Sequence, residues 1–254
     1  MERLKQSVPD WCFYKPQHDP DEYYGGLREI GFAGVEMVDP ARWPAAIAAG
    51  LQIVNLSGPG MTKGLNRPAN HAELLPQIRL AIAAAARGGI RDVIVFSGNR
   101  EGQDDREGLA HTVAALKHLA PEAHAAGVRL AFEMLNSHDH ADYQADRSWY
   151  GVEVVRQVGS PAVKILYDIY HMHRMGEDVL GTLLPNLRDV CHIHVAASPR
   201  RDRPTTAGEI DYRTIVRKVH AAGYRGFWGQ EFVPAGESLD ELAKAFDLFN
   251  SFLA

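Results

Sequence analysis

The chain lacks most features that mark the large non-enzyme classes of protein. Among 254 residues there are two cysteines, Cys12 and Cys191. That is too few for a disulfide framework; both fall in predicted strands, which reads as buried, reduced thiols and a cytoplasmic compartment. No segment approaches the ~18 consecutive apolar residues of a membrane span, and the opening "MERLKQSVPDW" has no apolar core of a secretory signal. Neither export nor membrane attachment is expected. A net charge of -5 provides no general attraction to phosphate backbones, so nucleic acid is not an expected partner. Neither a G-x-G-x-x-G after the first strand nor a G-x-x-x-x-G-K-[ST] loop is found, which removes the common nicotinamide and nucleotide signatures. No linker, low-complexity tract or long block of like charge divides the chain, so residues 1–254 are read as one domain.

What is present is an ordinary globular composition, 46% hydrophobic and 23% charged, sufficient for one large core. Eight apolar β-type runs can be read: "KQSVPDW", "GVEMV", "QIVNLS", "DVIVFSG", "RLAFEML", "VKILYDI", "CHIHVAA" and "FWGQEFV". Amphipathic or Ala-rich helical stretches alternate with them, including "NHAELLPQIRLAIAAAARGG" and "REGLAHTVAALKHLAPEAHAAG", and "SLDELAKAFDLFNSFL" follows the last. Gly31, Gly50, Gly89, Gly127 and Gly223 fit helix stops, where glycine adopts a left-handed backbone cheaply. Eight β-α units in a chain of this length predict an α/β fold, a single-domain (β/α)8 TIM barrel, over an open doubly wound sheet. The longest irregular stretches, "GPGMTKGLNRPAN" and "SPRRDRPTTAGEID", follow the third and seventh strands. They fall at the barrel mouth, as a substrate lid or wall, or are simply tolerated surface insertions.

Four consecutive predicted strands carry a metal-competent side chain near their C-terminal ends: Glu133, Asp168, His194 and Glu231. Any one alone is more simply a helix cap or a satisfied core residue. Together, on apolar segments where an unpaired charge costs several kcal/mol by order of magnitude, they ask for a shared cation. Three carboxylates and one imidazole form an oxygen-rich set suited to Mg2+ or Mn2+, with positions left for substrate. Glu133 and Glu231 could then flank the carbons of a substrate chelated through a carbonyl and its neighbouring hydroxyl, one removing a proton and the other returning one. That is the chemistry of an aldose-ketose shift or an epimerisation. Around this set, His171 is expected in the loop after Asp168, facing a substrate oxygen, and His173 is read as a solvated loop residue. His192 is either an orienting partner or a satisfied core histidine. Trp11 is a candidate pocket wall, with core packing as the alternative. Arg200 is assigned to a substrate carboxylate, Arg201 and Arg203 fit equally a solvated loop paired with Asp202, and Glu209 is a candidate loop or cap residue.

The motifs "YDIYHMHRMGED", "FEMLN", "GEIDY" and "GQEF", supported by "FSGNRE" and "KGLNR", resemble those of the xylose isomerase-like TIM barrels, and within them the hydroxypyruvate isomerase group. The resemblance covers nearly the whole chain. It implies that Glu133, Asp168, His194 and Glu231 hold a divalent metal, that Glu133 and Glu231 are the acid/base pair, and that His171 and Arg200 contact substrate oxygens. The implied reaction interconverts hydroxypyruvate and tartronate semialdehyde, and the implied partner is a small hydroxy keto acid or ketose; a homo-oligomer is compatible with it. One departure is His194, where many bacterial hydroxypyruvate isomerases carry glutamine and the ketose 3-epimerases carry histidine, so a ketose 3-epimerase is the alternative. A polyol-ketone dehydratase would start from the same proton abstraction. An apurinic endonuclease-like activity would want further histidines after the third and fourth strands, where "VNLSGPG" and "VFSGNRE" have none. A non-catalytic sugar binder would have no need of the glutamate pair.

Overall fold

The computed structural model describes residues 3–253; Met1, Glu2 and Ala254, at the ends of the expected domain and of the opening stretch searched for a signal, lie outside them. The described chain forms two compact units, one in two stretches that ends at Val54 and resumes at His192, the other Asn55–Cys191.

In the first unit, β1 (Lys5–Pro9) pairs in parallel with β2 (Gly34–Glu36), which pairs with β3 (Gln52–Ile53). On its other side β1 pairs with β9 (Phe227–Gln230), and β9 with β8 (Val190–Val195). The register sets Ser7 opposite both Gly34 and Gly229, and His194 opposite Gly229. In the second unit, β4 (Asn55–Ser57), β5 (Asp92–Phe96), β6 (Arg129–Glu133) and β7 (Val163–Asp168) pair in parallel in that order. Asp92 and Arg129 face each other in register and join through two hydrogen bonds, 2.6 and 2.7 Å. The third expected strand is thus divided into β3 and β4, and the other seven each contain one strand. Apolar runs such as Val93–Phe96 are buried throughout, as strands covered on both faces should be.

Helices return the chain where the periodicity placed them: α2 (Pro20–Ile30), α4 (Pro68–Arg87), α5 (Asp105–Ala125), α9 (Tyr212–Ala221) and α10 (Ser238–Ser251). Asp19, Asp104 and Asp211 accept backbone N–H groups at the starts of α2, α5 and α9, each such cap stabilising by about 1 kcal/mol. The five expected glycine stops all have positive φ, from 67° at Gly89 to 117° at Gly31. Shorter helices were not all anticipated. The first strand gives way at Asp10 to a one-turn helix, α1 (Asp10–Phe13), so Cys12 and Trp11 lie on a helix and not in a strand. Cys191 is buried in β8 as expected. The chain also turns into α7 (Ile169–Arg174) directly after Asp168, where a loop was expected. Among the described residues no helix is long and apolar enough to cross a membrane.

The first long loop is tied down within its own unit. Leu65 and Asn66 donate their backbone N–H groups to Phe96 and Ser97, and Asn66 Nδ2 reaches Asn99 O and Gln144 Oε1, both at 2.7 Å. The approach is close enough that glycine is required at Gly98: its φ is 93°, and an added Cβ would lie 2.3 Å from the Gly64 nitrogen. Gly89 has positive φ but nothing within 4 Å. Gly98→Ala is therefore expected to cost about 3 kcal/mol or more, from the strained backbone and a clash with main chain that cannot move aside, and Gly89→Ala about 1–2 kcal/mol. Urea denaturation of the two variants checks the order, and equal losses would contradict this packing.

Candidate active site

The first unit holds a buried chain of acids and imidazoles at the C-terminal ends of its strands. Glu36 ends β2 with no exposure, and its Oε1 accepts the Ser7 hydroxyl at 2.6 Å. Its Oε2 lies 2.8 Å from His194 Nε2 and 3.0 Å from His192 Nε2. The other face of the His194 ring points at the residue following β9: Nδ1 is 2.9 Å from Glu231 Oε2. Glu231 is also held by Trp11, whose indole N–H donates to Oε1 at 2.9 Å, and by Arg201, whose guanidinium donates to Oε2 at 2.5 Å. The guanidinium sits 5.3 Å from the centre of the Trp11 ring, within cation-π range.

The charges follow from these contacts. Burial alone would raise the Glu36 carboxyl, but His192 and His194 beside it outweigh that and hold it well below the usual carboxylate range. Burial opposes ionisation of Glu231 most strongly, but the neighbouring His194 and Arg201 groups and the Trp11 indole N–H together carry it below its ordinary value. Both acids are carboxylates at neutral pH.

In the second unit Glu133 ends β6 and Asp168 ends β7, 5% and 1% exposed. Asp168 is the cap of α7: its Oδ1 accepts the His171 backbone N–H at 3.2 Å. The next turn of helix brings the His171 ring back, with Nε2 3.5 Å from Asp168 Oδ2. His171 is completely buried, and its Nδ1 accepts from the Asn136 backbone N–H at 3.1 Å. A main-chain N–H can only donate, so the ring's own proton is on Nε2 when it is neutral. His173 is only partly exposed, on the same short helix.

Among the arginines the structure departs from expectation. Arg200, assigned to substrate, has its side chain 80% exposed and pairs with Asp202 at 2.7 Å. Arg201, given the Asp202 pairing as one of its two readings, is the one that reaches Glu231. Arg201 has φ 56°, a left-handed backbone that the neighbouring Arg200 does not share. Arg203 pairs with Glu241 at 2.8 Å, and Glu209 accepts from Ser198 Oγ at 2.8 Å. Three residues with contacts in these clusters carried no reading from sequence: Ser7, Glu36 and Asn136. Only Glu36 had a visible signal, as an acid inside the apolar run "GVEMV".

The donor chemistry fits a hard divalent cation. Glu133, Asp168 and Glu231 supply buried carboxylates, and His194 has one nitrogen committed to Glu36 while the other converges on a Glu231 oxygen.

Parallel strands returned by helices, with acids and imidazoles at their C-terminal ends, define the class as a (β/α)8 barrel enzyme. Residues 26–250 match the sequence model of the xylose isomerase-like TIM barrel family, and the chain belongs to that family. It is 30% identical over 175 residues to the 2-oxo-tetronate isomerase of Cupriavidus necator, covering 67% of this chain and 66% of that one. It is 26% identical over 168 residues to the hydroxypyruvate isomerase of Escherichia coli, covering 66% and 65%. By this kinship it is an isomerase. The fold is also that of a crystal structure described as AP endonuclease, family 2, from Brucella melitensis, with a TM-score of 0.85 over 96% of this chain and 98% of that one. At 22% identity this last likeness concerns the fold alone.

Replacing Arg201 by Met is expected to move the Glu231 titration up towards the ordinary carboxylate range, because one of the two neighbouring positive charges is lost. Arg200→Met should leave it in place. Carbon-detected NMR of labelled glutamate carboxyls distinguishes them, and a shift in the Arg200 variant alone would refute this geometry.

Proposed function

We propose that the chain is a metal-dependent isomerase of small α-hydroxy carbonyl compounds, with hydroxypyruvate the favoured substrate and tartronate semialdehyde its product. In a (β/α)8 barrel the C-terminal ends of the strands form the site of chemistry, and Glu133, Asp168, His194 and Glu231 stand at or directly after four such ends. The observation that carries the reading is the His194 ring, held through one nitrogen by Glu36 and presenting the other to Glu231.

A bound Mg2+ or Mn2+, held by Glu133, Asp168, His194 and Glu231, would supply positive charge to stabilise the oxygens of an enediolate. The protein's groups do the rest. One of Glu133 and Glu231 removes a proton from the hydroxyl-bearing carbon, the other returns a proton to the former carbonyl carbon, and the hydroxyl proton passes to the former carbonyl oxygen, so that the old hydroxyl becomes the new carbonyl. Glu231 is suited to begin unprotonated, since its neighbours hold its pKa below the ordinary carboxylate value. His171, with its proton on Nε2, is suited to donate a hydrogen bond to a substrate oxygen. Arg201, whose side chain is 14% exposed beside Glu231, supports a substrate that carries a carboxylate. His194 favours a second reading, a ketose 3-epimerase, in which one glutamate removes the proton from a carbon beside the carbonyl and the other returns a proton to that same carbon from the opposite face. The compartment proposed is the cytoplasm.

Glu133→Gln and Glu231→Gln are each expected to lower kcat by about a thousandfold or more, since general acid/base groups contribute up to ~10^4-fold, with the circular dichroism spectrum unchanged. Chelation should abolish turnover and Mn2+ or Mg2+ restore it. Incorporation of deuterium from heavy water into hydroxypyruvate, compared with ketoses of increasing length, identifies the substrate class. Wild-type activity in either glutamine variant would remove the acid/base assignment, and no exchange with any of these compounds would leave a binding protein.

A further inference from the structure

Glu36 is not among the groups that would touch substrate or cation, yet the strands around it are arranged to receive its carboxylate. Gly229 is the clearest sign: a Cβ there would lie 2.3 Å from Glu36 Oε1, 2.6 Å from His194 Cδ2 and 2.9 Å from His192 Nε2. Any larger residue on β9 would displace the acid or the ring. The register places Ser7 and His194 on either side of that glycine, and Ser7 donates to Oε1 at 2.6 Å. Glu36, Ser7 and His194 are completely buried, and His192 is 1% exposed. Leaving an acid in such a place costs several kcal/mol by order of magnitude unless each oxygen is satisfied.

We propose that Glu36 is a positioning residue for His194, fixing the tautomer in which Nε2 carries the proton and the Nδ1 lone pair faces Glu231 and the bound cation. The inference rests on the metal-dependent reading above. An ionised carboxylate only accepts hydrogen bonds, so the nitrogen 2.8 Å from it must donate. A neutral imidazole has a single N–H, and Nδ1 is then left as the ligand atom. Ser7 holds the other oxygen of the carboxylate, and the absent side chain at Gly229 leaves room for both the carboxylate and the ring. Partners of this kind make a ligating imidazole more basic and fix its orientation, and their loss costs 10–100-fold in metal affinity. The ligand atoms of Glu36, His192 and His194 also lie within 4.8 Å of one another, so a direct ligand role for Glu36 is the competing explanation. The Ser7 hydroxyl and His194 Nε2 already donate to this carboxylate, which makes an ion there unnecessary.

The test measures Mn2+ binding to chelator-treated protein by electron paramagnetic resonance, in the wild type, Glu36→Gln and Ser7→Ala, with urea midpoints recorded separately. The expected result is one Mn2+ per wild-type chain, bound 10–100-fold more weakly by Glu36→Gln and less severely weakened by Ser7→Ala. Nitrogen NMR of labelled histidines should show the His194 proton on Nε2 in the wild type and a shifted tautomer population in Glu36→Gln. A variant that loses stability but keeps wild-type Mn2+ affinity and tautomer would overturn the proposal while leaving the metal reading intact. So would a wild type that binds two Mn2+ and falls to one in Glu36→Gln, which would make Glu36 a ligand. A wild type that binds no Mn2+ overturns both. Should Glu36→Gln fail to fold, the wild-type tautomer decides: a proton on Nδ1 refutes the role of Glu36.

Discussion

The constraint on which this structure turns is the cost of keeping ionised acids out of water. Glu36, Glu133, Asp168 and Glu231 are all no more than 5% exposed. In an apolar interior each would either be neutralised or need partners of opposite charge and donors for every oxygen. Glu36 and Glu231 show how this is met: imidazoles, a guanidinium, an indole N–H and a serine hydroxyl are directed at them. Each of these partners stands on a strand, on the short helix α1 or in a constrained turn. The arrangement is therefore preorganised before any substrate arrives, which is what charge stabilisation in catalysis requires.

The fold meets this demand through register. Parallel pairing sets residues from neighbouring strands at one height, so a residue near the end of one strand meets counterparts on the next. Ser7, Gly229 and His194 share a level across β1, β9 and β8, and the glycine between the two polar residues makes room for an acid from β2. In the second unit Asp168 serves two ends at once. Its Oδ1 caps α7 and its Oδ2 faces the His171 ring one turn later. A capping acid and a candidate ligand are thus compatible roles for one carboxylate, because it has two oxygens with separate directions.

The (β/α)8 fold and the strand-end acids were legible in the sequence because they depend on local pattern: apolar runs, helical periodicity, and a charge placed where the run ends. The glycine stops were legible for the same reason, each needing positive φ. What escaped depended on backbone detail. His171 was expected in a loop, but the Asp168 cap starts α7 at once and turns the ring back inward. Arg200 and Arg201 are indistinguishable by residue type, and only the left-handed conformation at Arg201 settles which guanidinium reaches Glu231. That conformation costs about 1–3 kcal/mol. It is held by Arg201 O accepting from Val233 N at 2.7 Å and by Asp202 O accepting from Ala197 N at 2.8 Å. Nothing in "SPRRDRP" announces those long-range bonds. Glu36 could be noticed as an acid in an apolar strand, but its partners come from two other strands distant in sequence.

The two ends of the His194 ring also explain why a glutamate beside it can serve as a base. Under the proposed reading, Glu231 could take the proton only if it is unprotonated when substrate binds, yet its burial favours the protonated form. The Glu36 carboxylate holds the ring from behind, and the Arg201 guanidinium beside Glu231 favours its ionised form. Trp11 adds a donor to Oε1 without adding charge. The base is kept ionised by neighbours on three sides, and its strength in accepting a proton is limited by the same neighbours. A cation and a substrate carboxylate would each compete for some of these contacts, so the proton affinity of Glu231 is set by the occupied site and not by the protein alone.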